Sequence, residues 1–103
     1  MPDPYGYTVL EWDDEEDPHG NLRHCLRHGL DERIVSEVMS IDPVEIRLSN
    51  TAADFVIAGP DSSGKMWTIL LVKSETSSDA LRLVTGWPSS KKQLQLWEQA
   101  HSR

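Results

Sequence analysis

From Val44 to Gly86 the chain runs in short stretches of alternating apolar and polar residues, separated by hairpin-length turns. That pattern constrains the fold more than any other feature, because a period of two belongs to half-buried strands and not to helices. Val44-Glu45-Ile46-Arg47-Leu48 alternates strictly, so a strand over 44–49 would turn its apolar side to a core and present Glu45 and Arg47 outward. A second run covers 53–58 and leads into Gly59-Pro60-Asp61-Ser62-Ser63-Gly64, a dense loop signal. Met66 to Val72 is nearly continuous in apolar residues, as a central strand covered on both faces would be. After a polar turn over 74–79, residues 80–86 alternate again, and Gly86-Trp87-Pro88 ends them.

The first half reads differently. Tyr7 to Trp12 is aromatic and β-branched and predicts a first strand. From Asn21 the spacing turns helical, with Leu22, Cys25 and Leu26 on one face, Asn21 as N-cap and Gly29 as the residue that ends the helix. Asp31 caps a second helix carrying Ile34, Val35, Val38 and Met39, which Asp42-Pro43 stops. Ser89 or Ser90 caps a last helix carrying Leu94, Leu96 and Trp97. The expected fold is therefore α+β: a small antiparallel sheet of about five strands, with two N-terminal helices and one C-terminal helix packed on it. A chain of 103 residues suits one domain, 1–103, with a flexible leader over 1–6 and an acidic loop over 13–20. Trp12, Trp67 and Trp97 belong to the expected core. Trp87, beside Pro88 at a strand end, is a candidate for stacking on a base or docking a partner.

Charge narrows the choice of partners. Ten Lys and Arg stand against 17 Asp and Glu, a net charge of −7, which excludes a uniformly basic nucleic-acid binder. The charge is uneven, however. Residues 1–45 hold twelve acids and three bases, a balance of −9, while residues 46–103 hold five acids and seven bases, a balance of +2. Six acids lie between Glu11 and Asp17, so a modest basic face elsewhere survives the acidic total. The single cysteine, Cys25, excludes an intramolecular disulfide. No apolar run approaches the roughly 18 residues of a membrane span, and the chain opens with no signal-peptide pattern. A cytoplasmic protein that does not enter a membrane is the expectation.

One local cluster has chemical character, Gly20-Asn21-Leu22-Arg23-His24-Cys25-Leu26-Arg27-His28-Gly29. His24 and His28 stand at i and i+4, on one side of a helix, with Arg27 beside His28 and Arg23 one turn behind it. Two imidazoles beside guanidinium groups suit metal-independent RNA cleavage. One takes the 2′-hydroxyl proton, the other protonates the leaving oxygen, and fixed positive charge offsets the charge that develops on phosphorus. The same residues also suit a purely structural helix end, where the macrodipole favours cations. A metal site is not expected, because no third ligand is well placed and no Glu follows the first His as the zinc-peptidase pattern requires. Cys25 lies toward the apolar side of its helix and lacks the surroundings of a nucleophile.

Glu11-Trp12-Asp13, followed by Gly20-Asn21 to His28-Gly29 and an amphipathic helix reaching Asp42-Pro43, resembles the BrnT-like toxin family. It looks in particular like the branch reading W-D…G-N-x-x-H-h-x-x-H-G, where h is apolar, in the RelE-related superfamily of ribonuclease toxins. The resemblance covers 7–97 in element order and is motif-grade from Trp12 to Pro43. It implies RNA cleavage on or off the ribosome, neutralisation by a partner antitoxin, and no cofactor. The family's basic-His-Gly motif falls on Arg27, His28 and Gly29, and its late-strand Arg falls on Arg82. Two family cations are absent: Asp54 stands where an Arg is usual, and Thr85-Gly86-Trp87 replaces Ser-Ala-Arg. The expectation is a toxin-type RNA-binding protein or weak ribonuclease, with His24, His28 and Arg27 as catalytic residues and Arg47, Arg82 and Trp87 as RNA contacts. The alternative is a catalytically silent interaction module of the same fold.

Overall fold

The alternating runs assemble into one five-stranded sheet. A computed structural model describes residues 9–48 and 51–101, in the order β1 (Val9–Glu11), α1 (Asn21–Arg27), α2 (Glu32–Ile41), β2 (Val44–Glu45), β3 (Phe55–Pro60), β4 (Met66–Lys73), β5 (Ala80–Pro88) and α3 (Lys91–His101). The class is α+β, with two helices before the main strands and one after them. The expected leader and residues 7, 8 and 49 lie outside the described residues.

The strands lie in the order β1-β5-β4-β3-β2. β2 to β5 form an antiparallel meander, as short turns require. β1 corrects the wholly antiparallel expectation: it lies parallel to β5, with Glu11 opposite Arg82, and the sheet is mixed. Most of the chain intervenes between these two strands, so no short turn dictates their direction, and alternation reads the same either way.

Strand limits moved where side chains compete for the backbone. Strand pairing reaches Pro60, which stands opposite Met66, and the turn that follows is built by Asp61. Asp61 is buried, and its carboxylate accepts from the Ser63 and Lys65 N–H groups and from the Trp67 indole at 3.0 Å. β5 runs on to Pro88, opposite Trp67. β2 stops at Glu45, although the Ile46 N–H still reaches the Val56 carbonyl.

Each face of the sheet carries its own core. Cys25, Leu30, Val35, Val38 and Met39 from the α1–α2 side meet Ile57, Trp67, Ile69, Leu71, Leu81 and Leu83. On the opposite face Ile46, Val56, Ala58 and Leu70 pack with Trp87, Leu96 and Trp97. β4 is buried from Trp67 to Leu71 because both layers cover it. Asp31 caps α2 through the Ile34 N–H at 2.8 Å, and Ser90 and Gln93 bond each other's backbone N–H groups across the first turn of α3. No helix among the described residues is long and apolar enough to cross a membrane.

Candidate functional site

α1 is only seven residues long, and its sequence divides it sharply. Leu22 and Cys25 enter the core, while Arg23, His24, Leu26, Arg27 and His28 are exposed. Leu26 therefore departs from the expected apolar face, since two turns of helix laid on β5 bury only a narrow stripe. Gly29, at φ +80°, ends the helix as expected.

Asn21 is not the N-cap. Gly20 holds that place, and Asn21 is the first helical residue, 6 % exposed. Its amide donates to the Glu11 carbonyl at 3.0 Å and the Leu83 carbonyl at 2.8 Å, and its Oδ1 accepts from the Asp13 N–H at 2.7 Å. Asp13 returns a bond by accepting from the Asn21 N–H at 2.9 Å. The start of α1 is thereby fastened to β5 and to the acidic loop. Gly20 belongs to this knot, for a Cβ there would lie 2.7 Å from the Asp13 Cβ.

The two imidazoles meet on the solvent side. The His24 and His28 ring centroids are 5.2 Å apart, edge to face, and His24 Nε2 lies 2.9 Å from Thr85 Oγ1. Arg27 donates to the Pro18 carbonyl at 3.1 Å, and Arg23 donates to the Glu15 carbonyl. Both guanidinium groups are thus steadied by neutral carbonyl oxygens, and neither forms an ion pair among the described residues. The two arginines are thus held against the acidic loop, beside Glu15 and Pro18, rather than on a basic face apart from it, while the two imidazoles lie toward Thr85.

The other expected contacts lie elsewhere. Arg82 alternates with Leu81 and Leu83, so it leaves the sheet on the face opposite α1. Its guanidinium pairs with Asp13 and, at 3.5 Å, with Glu11. The Arg82 bond, followed by the Asn21 N–H, holds the Asp13 carboxyl below its usual range. Bonds from Ser74 and Thr76 do the same for Glu11, with Arg82 assisting. Arg47 is exposed just after β2, on the far edge of the sheet. Three strand spacings separate β2 from β5, about 14 Å. Trp87 is half-buried, and its indole N–H donates to Gln93 Oε1 at 3.1 Å. His24, His28 and Arg27 are brought together; Arg47, Arg82 and Trp87 do not join them.

A shallow groove of about 520 Å³ beside Arg82 holds the carboxylates of Glu11, Asp54 and Glu75 against Lys73 and Arg82, which suits no phosphate. Burial pushes the Cys25 thiol up to about 11, so it is no nucleophile at neutral pH. Among the described residues no group of three or more His, Cys, Asp or Glu side chains could hold a metal ion. Thr85 is the contributor that sequence reading missed, since only tertiary structure sets it beside His24. Comparison with known proteins found no matching family model, no matching curated protein and no matching solved structure.

Proposed function

We propose that this protein is a toxin-type RNA-binding domain with weak, metal-independent ribonuclease activity, centred on the exposed face of α1. The observation that carries the reading is the pair of solvent-facing imidazoles of His24 and His28, 5.2 Å apart and flanked by Arg23 and Arg27. In the reaction one imidazole accepts the 2′-hydroxyl proton as that oxygen bonds to phosphorus. The other, protonated, gives its proton to the 5′-oxygen as the P–O bond breaks, leaving a 2′,3′-cyclic phosphate and a 5′-hydroxyl. Arg27 and Arg23 face the phosphate charge. Arg82, already matched by two carboxylates, takes no part in this version of the site. An antitoxin that neutralises the activity would cover the same face of α1, and a cytoplasmic setting goes with that role.

The same ion pairs of Arg82 favour a second reading, a silent protein-interaction module. They consume Glu11 and Asp13 but leave Asp14, Glu15, Glu16 and Asp17 exposed as an acidic surface. Inducible expression, with growth and total RNA followed together, separates the two. The toxin reading expects growth arrest with RNA fragmentation, both lost in His28→Ala. Unchanged growth with intact RNA would overturn it in favour of the interaction module.

A further inference from the structure

β5 carries an irregularity beside the histidines. Its pairing with β4 shifts between Leu70 and Leu71: Leu71 stands opposite Leu83 and Leu70 opposite Thr85, which leaves Val84 as an extra, exposed residue. In a regular strand Thr85 would follow Leu81 and Leu83 into the α1–α2 core. Here Gly86 takes the core-facing place, where an added Cβ would lie 2.4 Å from Leu30 Cδ2. Thr85 is left half-buried at the sheet margin, with its hydroxyl 2.9 Å from His24 Nε2. Bulges commonly re-aim a side chain in this way. The His28 ring lies edge-on to the His24 ring and makes no side-chain hydrogen bond among the described residues.

We propose that Thr85 is a positioning residue: its hydroxyl accepts from His24 Nε2–H and leaves the Nδ1 lone pair as the proton acceptor. The inference rests on the ribonuclease reading and divides its two roles. The bond made by one ring nitrogen decides which tautomer a histidine holds. His24, oriented and unprotonated at Nδ1, accepts the 2′-hydroxyl proton, and His28 delivers a proton to the 5′-oxygen.

Nitrogen-detected NMR of the ¹⁵N-labelled full chain reads the tautomer at each histidine, and steady-state cleavage of an RNA oligonucleotide reads the reaction. Wild type and Thr85→Ser are expected to hold His24 in the Nε2–H form. Thr85→Val, which keeps the shape of the side chain, gives a mixture, with His28 unchanged throughout. The same valine variant lowers kcat about tenfold at unchanged KM, as a misoriented base forfeits part of the ~100-fold that a positioned one supplies, and the serine variant restores it. An identical His24 tautomer in wild type and Thr85→Val, or an Nδ1–H form in wild type, overturns the positioning role even if cleavage persists. A wild type that cleaves no RNA but shows the Thr85-dependent tautomer overturns the ribonuclease reading and leaves the positioning contact standing.

Discussion

Asn21 carries more of the fold than its place at a helix start announces. Its side chain makes three hydrogen bonds, to two backbone carbonyls and one N–H, from a site almost closed to water. Asn21→Ala strands those groups together, so a loss of about 2–3 kcal/mol is expected in urea unfolding. Sequence reading placed Asn at a helix start correctly but assigned it a capping role, because capping is local and the Leu83 carbonyl is 62 residues away. Asp61 gives a second residue-scale prediction. Burial pushes its carboxyl up, but the bonds from Ser63, Trp67 and Lys65 outweigh that and hold it at about 2, against 3.8 unperturbed. A carboxyl lowered by folding stabilises the folded state above its unfolded value and loses that contribution as pH falls toward the folded one. Stability should therefore decline between about pH 4 and pH 2. Asp61→Asn should flatten that part of the profile in acid titrations followed by Trp fluorescence.

At the scale of elements, the antiparallel meander from β2 to β5 follows from alternation and turn residues, and alternation fails only at one point of β5. The bulge in β5 does not announce itself. Leu81, Leu83 and Thr85 keep a regular period in the sequence, yet in the folded sheet Gly86, with Leu30 packed close in front of it, takes the next core-facing place. Gly86→Ala is expected to cost about 1–3 kcal/mol through overcrowding, and pairing it with Leu30→Val should recover part of the loss in thermal unfolding. α3 is tied down by a contact that sequence could not show. His101 lies 2.8 Å from the Trp97 carbonyl and 2.7 Å from the Asp42 carboxylate, and stacks on Trp97 at 4.1 Å. The Trp97 carbonyl first, and Asp42 after it, raise the His101 imidazolium above its usual 6.5. Such a group stabilises fully below its unfolded value and ceases to do so as pH rises through its folded one. Amide protection factors along the last turn of α3, corrected for the intrinsic rise of exchange with pH, should fall above pH 6.5, and His101→Ala should abolish that fall.

For the whole molecule, the acidic total misleads unless its placement is known. Glu11 and Asp13 are engaged with Arg82 on the sheet margin, whereas Arg23 and Arg27 form no ion pair among the described residues and donate instead to backbone carbonyls of the acidic loop. The histidine–arginine cluster was legible because three helical residues and the cap residue after them suffice to build it. The failure of Arg47 and Arg82 to join it was not, since strand order and facing are properties of the folded sheet. The central claim is that this face of α1 binds and cleaves RNA. Its most direct test measures binding and cleavage of an RNA oligonucleotide, in the presence of a chelator, by wild type, Arg27→Ala and His28→Ala across a salt series. The account predicts salt-sensitive binding by wild type, weakened by about 1 kcal/mol in Arg27→Ala with a slope reduced by about 1. It also predicts cleavage at least ~100-fold slower in His28→Ala at nearly unchanged affinity. Absence of RNA binding at low salt, or cleavage that all three proteins share equally, would contradict it.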